Sequence, residues 1–171
     1  APIFNAAGRL EDAKQAVSLF IEEDGFECLT IIEQLLENNN ERKNIQKKIL
    51  EASIAEIEKK QLYNKNLILV ANKSFHHGVI GIVASKILDK YYKPSIIMEI
   101  KESEGVATAS CRSIDGLNIV ECLNSVSDIL VKYGGHSGAA GFTIKIENIE
   151  EFYQRVDKYI GENFPKELFV K

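Results

Sequence analysis

Leu67-Ile68-Leu69-Val70-Ala71, an apolar run without alternation, constrains the fold more than any other part of this 171-residue chain. A half-buried strand alternates apolar and polar residues, so an unbroken run of strand length belongs to a strand covered on both faces. An almost wholly apolar helix is expected from Val79 to Tyr91, broken by Pro94. Ser95-Ile96-Ile97-Met98-Glu99-Ile100 then reads as a second strand. Strand, helix and strand in this order form an α/β unit, in which the helix must lie on the sheet to bury its own apolar surface.

The rest of the chain extends this layer. Val106 to Arg112 is short and alternates, which suits a strand, and Phe142, Ile144 and Ile146 alternate with Thr143 and Lys145 in a half-buried one. Ile119, Cys122, Leu123, Val126, Ile129, Leu130 and Tyr133 fall at helical spacing, and Gly134-Gly135 marks the expected helix end. Ile149, Phe152, Tyr153, Val156, Tyr159 and Ile160 predict a closing amphipathic helix. Ahead of the sheet the chain reads as helical: Asp12 stands as a cap before Ala13, Ala16, Val17 and Phe20, and Leu29, Ile32, Leu35 and Leu36 repeat the spacing. Asn38-Asn39-Asn40 is expected to interrupt it before a charged segment from Glu41 to Lys60 that carries Ile45, Ile49 and Ala52. The expectation is an α/β fold with a mixed sheet of four to five strands flanked by helices, preceded by a helical connector arm. The boundary falls between 1–65 and 66–171.

Composition sets limits on function. With 45% hydrophobic and 27% charged residues the chain is of ordinary globular type, and it contains no apolar stretch of membrane-spanning length. No membrane partner and a cytoplasmic location are expected, and Ala1 reads as the edge of an excised piece. Cys28, Cys111 and Cys122 are odd in number and form no CxxC pair, so each reads as a small buried apolar residue. The net charge of −4 is uneven: residues 1–37 hold −6, whereas 38–60 and 61–146 hold +2 each. Contact with a polyanion by the middle of the chain is permitted, without the excess of a dedicated basic module.

Three features are candidates for chemistry. Gly134-Gly135-His136-Ser137-Gly138-Ala139-Ala140-Gly141 offers close backbone approach and one imidazole. It suits either an anion-binding concavity or a glycine-capped helix stop with a buried histidine. His76-His77-Gly78 opens the apolar helix, where amide groups attract anions; adjacent histidines point apart, so one faces a ligand and the other solvent. Ser110 and Arg112 share a strand face, and arginine holds phosphate bidentately, unless Arg112 is a plain surface residue. The aspartates are scattered, with none adjoining a histidine, so no self-contained metal centre is expected within the chain.

Taken in order, Asn5-Ala6-Ala7-Gly8-Arg9, His76-His77-Gly78-Val79-Ile80-Gly81-Ile82-Val83-Ala84, Ser110-Cys111-Arg112-Ser113 and the segment Gly134 to Gly141 resemble the RecJ family of single-strand-specific DNA exonucleases among the DHH phosphoesterases. The likeness spans residues 1 to about 146, with Ile3 standing where that family commonly has arginine. It implies that residues 66–171 are a DHH-associated, substrate-binding domain. Residues 1–65 would then be the connector and the tail end of a catalytic DHH domain. It implies phosphodiester hydrolysis from the 5′ end of single-stranded DNA, with manganese or magnesium held in the DHH domain and none in this piece. It further implies a role in repair and recombination, with single-stranded DNA, the chain's own DHH domain and other repair proteins as partners. By matching positions, Arg9, His76, Ser110, Arg112, Gly134, Gly135 and His136 are the implied substrate contacts, with His136 the candidate transition-state contact and no other catalytic residue. The same associated domain also occurs in small DHH phosphodiesterases acting on oligoribonucleotides or cyclic dinucleotides and, without catalysis, in alanyl-tRNA synthetases. A metabolite-binding α/β domain is the remaining alternative.

Overall fold

A computed structural model describes residues 25–170, so the segment Asn5 to Arg9 and the helix expected near residues 13–20 lie outside the described residues. Contacts group the chain into two units, Ala1–Ile45 and Gln46–Lys171. The described part of the first unit is helical, belonging to α1 (Gly25–Lys60). That helix runs through Asn38-Asn39-Asn40 without the expected break. Asparagine is a weak helix former, costing only a few tenths of a kcal/mol relative to alanine, and no glycine or proline reinforces it there.

The second unit is built on a five-stranded mixed sheet, flanked by helices. In chain order its elements are β1 (Ile68–Asn72), α2 (His77–Tyr91), β2 (Ser95–Lys101), β3 (Val106–Arg112), α3 (Ile119–Asn124), β4 (Leu130–His136), β5 (Ala139–Lys145) and α4 (Ile149–Asn163). The strands lie in the order β1-β2-β3-β5-β4. Only β1 and β2 pair in parallel, joined by α2, and every other pairing is antiparallel. The unbroken apolar run behaves as its composition requires: Ile68 and Val70 point into one core, and Leu67 and Leu69 into another. α2 stops at Tyr92, which takes a left-handed conformation and donates its N–H to Leu88 O at 2.7 Å, two residues before Pro94.

One core lies between the sheet and the pair α3 and α4, with Ala107, Ala109, Cys111, Phe142 and Ile144 meeting Cys122, Leu123, Phe152, Val156 and Ile160. The rings of Phe142 and Phe152 sit 4.7 Å apart. Among the bonds that fix α4, Asn66 N donates to Asp157 Oδ1 at 2.7 Å, and the Tyr153 hydroxyl donates to Leu67 O at 2.9 Å. The other core joins Ile49 and Ile57 of α1 and the buried stripe of α2 to Ile68, Val70 and Ile97. Its strand residues come from β1 and β2, and α2 also reaches β3 at Ser110 and Arg112.

The expected helix from Ile119 to Tyr133 is corrected. α3 ends at Asn124, a short 3-10 turn follows at Ser127–Ile129, and Leu130–His136 is strand. The apolar spacing fits a helix, but Val131 and Tyr133 favour a strand and Gly134-Gly135 weakens a helix. Pairing with β5 also satisfies the backbone of the segment. β5 accordingly begins at Ala139, three residues before the expected start. Cys111 and Cys122 are buried free thiols, and burial pushes both up, Cys122 to about 12.

Candidate nucleic-acid interface

The correction changes the nature of the glycine-rich segment. Gly134, Gly135 and His136 are the last residues of an edge strand, and Ser137-Gly138 is a two-residue turn leading into β5. Backbone bonds hold the turn, because Ser113 N donates to Gly138 O at 2.9 Å and Ile119 N donates to Ser137 O at 3.0 Å. Gly135 is required by the backbone itself: at φ +144° a Cβ would lie 2.5 Å from Ala139 O and from Ala140 Cα.

Strand register then decides which residues meet. Side chains of directly paired residues lie on one face, so the pairs Arg112↔Ala139 and Ala139↔His136 make a cross-strand row. Ser110, Gly141 and Gly134 make the next row, about 7 Å along the strands. Both rows lie on the face that carries α2, which reaches β3 at Ser110 and Arg112 through Gly81. Four of the implied contacts, Ser110, Arg112, Gly134 and His136, therefore come together. Gly135 pairs with the buried Ala140 and belongs to the opposite face. His76 is placed apart, as the exposed cap of α2, with its Nδ1 accepting from Gly78 N at 3.1 Å. It stands about 7.5 Å along the helix axis before Gly81. Arg9 lies outside the described residues.

Arg112 is held from two sides. Its Nη1 donates to Cys111 O at 2.8 Å, and its guanidinium lies over Gly81 of α2 so closely that a Cβ there would be 2.7 Å from Nη2. The Ser110 hydroxyl is 3.7 Å from the same point. Gly81 was not among the expected site residues. The available signal was a glycine inside an apolar helix, where it costs about 1 kcal/mol against alanine and implies a close approach. The arrangement offers a guanidinium, a hydroxyl, an imidazole and a surface with no Cβ at Gly134 and Gly141. Such a surface can receive a phosphodiester backbone at close range.

Residues 64–162 match the DHHA1 domain, and the chain belongs to that family. It is 38% identical over 170 residues to the single-stranded-DNA-specific exonuclease RecJ of Bacillus subtilis, covering 99% of this chain and 22% of that protein. It superposes on a crystal structure of exonuclease RecJ bound to manganese with a TM-score of 0.78 at 31% identity, over 96% of this chain and 40% of that one. On RecJ from Thermus thermophilus in complex with Mg2+ the TM-score is 0.72 at 31% identity, over 96% and 25%. The chain thus spans less than half of each of these proteins. Their metals find no ligand set in the present site: among the described residues no three His, Cys, Asp or Glu side chains could hold an ion. Among the described residues, too, no helix is long and apolar enough to cross a membrane.

Proposed function

We infer that this chain grips the sugar-phosphate backbone of single-stranded DNA as the substrate-binding part of a single-strand-specific exonuclease. Residues 66–171 are its DHH-associated domain and 1–65 the connector to a catalytic DHH domain. The observation that carries this reading is the meeting of Arg112, Ser110 and His136 on one face of the sheet beside α2, in a chain whose relatives are RecJ exonucleases. These groups suit phosphate rather than base edges, so binding is without strong sequence preference. Manganese or magnesium would act in the catalytic domain on ligands outside residues 25–170, and digestion would run from the 5′ end in cytoplasmic repair and recombination, alongside other repair proteins. The part played here is to hold the strand while His136 donates to a non-bridging oxygen near the scissile group.

The test is His136→Ala and Arg112→Ala in the enzyme that carries this chain together with its catalytic domain. A charge-assisted hydrogen bond is worth about 1.5–3 kcal/mol, so each change should lower kcat/KM on single-stranded DNA by roughly 10- to 150-fold. For His136→Ala the melting temperature should stay within a degree or two, since His136 is exposed. Activity within twofold of wild type, or a clear preference for duplex, would end this reading.

A further inference from the structure

A third cross-strand row continues the same face beyond Ser110, Gly141 and Gly134. Thr108 pairs with Thr143 and Thr143 with Lys132, placing two hydroxyls and an ammonium across β3, β5 and β4. The row borders a shallow depression of about 300 Å³, whose lining includes Thr108, Lys132, Gly134, Gly141 and Thr143. None of the three polar side chains has a hydrogen-bond or ion-pair partner among the described residues, although Thr143 is only 9% exposed. The nearest carboxylate in the row belongs to Glu99, which pairs with Thr108 and so stands three strand spacings, about 14 Å, from Lys132.

We propose that Lys132, with the Thr108 and Thr143 hydroxyls, holds a second backbone phosphate of the same DNA strand, separate from the one at Arg112 and His136. The inference rests on the single-strand reading above and adds a direction and a length to it. Four residues of extended strand separate Thr108 from Arg112, about 14 Å. That is two steps of an extended polynucleotide, so the bound strand runs along β3 and β5 from His136 towards Lys132. The row of Ser110 and the facing glycines between them takes the intervening nucleotide without side-chain obstruction.

Two ligands of different reach separate the outcomes. The 5′-phosphorylated dinucleotide pTpT is too short to join the two rows, whereas dT8 spans both. In NMR titrations of the chain, Lys132→Ala should weaken dT8 by about two- to five-fold at low salt, as for other exposed charge pairs. It should also make the slope of log affinity against log salt shallower by about 0.7. It should leave pTpT unchanged, and Lys132→Arg should restore dT8 binding. Arg112→Ala should weaken both ligands. If Lys132→Ala binds dT8 as wild type does while Arg112→Ala does not, the second phosphate position is overturned and the single-strand reading stands. If Lys132→Ala weakens pTpT as much as dT8, the two positions are one and the proposal also fails. If neither variant changes either ligand, both readings fall together. Lys132 is exposed, so an unchanged melting temperature accompanies every valid comparison.

Discussion

On one face of β3 and β5, Ala107, Ala109, Cys111, Phe142 and Ile144 are at most 3% exposed and pack beneath α3 and α4. On the other face of the same strands, Thr108, Ser110, Arg112 and Gly141 remain partly open, because α2 reaches only as far as β3 and the apolar core beneath it draws strand residues from β1 and β2 alone. A single alternating sequence therefore supplies the core and the proposed binding surface at once. The core face can hold the register that the open face depends on, while the open face contributes little to stability. Changes on the two faces should consequently separate: one class should lower stability with normal binding per folded molecule, the other the reverse.

The largest effect tests the core face. Phe152→Ala removes a fully buried ring packed against Phe142 and should destabilise the fold by about 3–5 kcal/mol in urea denaturation. Affinity of the molecules that remain folded should be unchanged, and a parallel loss of affinity would show that the two faces are not separable. Gly81→Ala sharpens the comparison from the open side. The added methyl displaces only the end of the flexible Arg112 side chain, and alanine favours the helix by up to about 1 kcal/mol. Stability should hold or rise while single-strand binding falls by several-fold. An unchanged affinity would separate the placement of Arg112 over this helix from its role in binding.

The smallest effect lies on neither face. Arg155 of α4 donates Nη1 and Nη2 to Asp128 Oδ2 and Oδ1 at 3.0 and 2.9 Å, and these bonds hold the Asp128 carboxyl below the usual carboxylate range. A folded value below the unfolded one, about 3.9, gives stability that is present above pH 4 and lost as the pH falls through the folded value. The group is fully exposed, so the effect is small. Asp128→Asn should remove a slight acid-side decline in melting temperature and leave binding at neutral pH untouched. If the acid-side decline persisted in full, the pair would have no part in it.

The core face was legible in the sequence because it follows simple periods. The run at 67–71, the alternation at 106–112 and the stripe from Ile149 to Ile160 each specify what they bury. The open face was legible only in part. Ser110 and Arg112 could be placed together by period two, but their alignment with His136 depends on two strand registers that local sequence does not encode. Leu130 to Tyr133 satisfies helical spacing as well as strand composition, so only pairing with β5 decides its form. Lys132 escaped notice for that reason: in a helix it would be one more surface charge, whereas in β4 it lies in line with Thr143.

Among the described residues β4 has a single neighbour in the sheet, and its residues from Val131 to His136 are exposed. A strand paired along one side can separate from its neighbour without disturbing the rest, so it belongs to the part of a fold that opens earliest. Such an opening would carry His136 and Lys132 away together while leaving Ser110 and Arg112 seated between β2 and β5. Two backbone bonds, at Ser137 and Gly138, hold the far end of the hairpin, and the Tyr133 hydroxyl, donating to Asn124 Oδ1 at 2.6 Å, is a side-chain tie from its middle to α3. The proposed site would then have a stationary half on β3 and a half on β4 that opens with the edge. On the single-strand reading, breaking the Tyr133 bond and loosening that one ribbon would release a held strand while β1, β2 and β3 stayed in place.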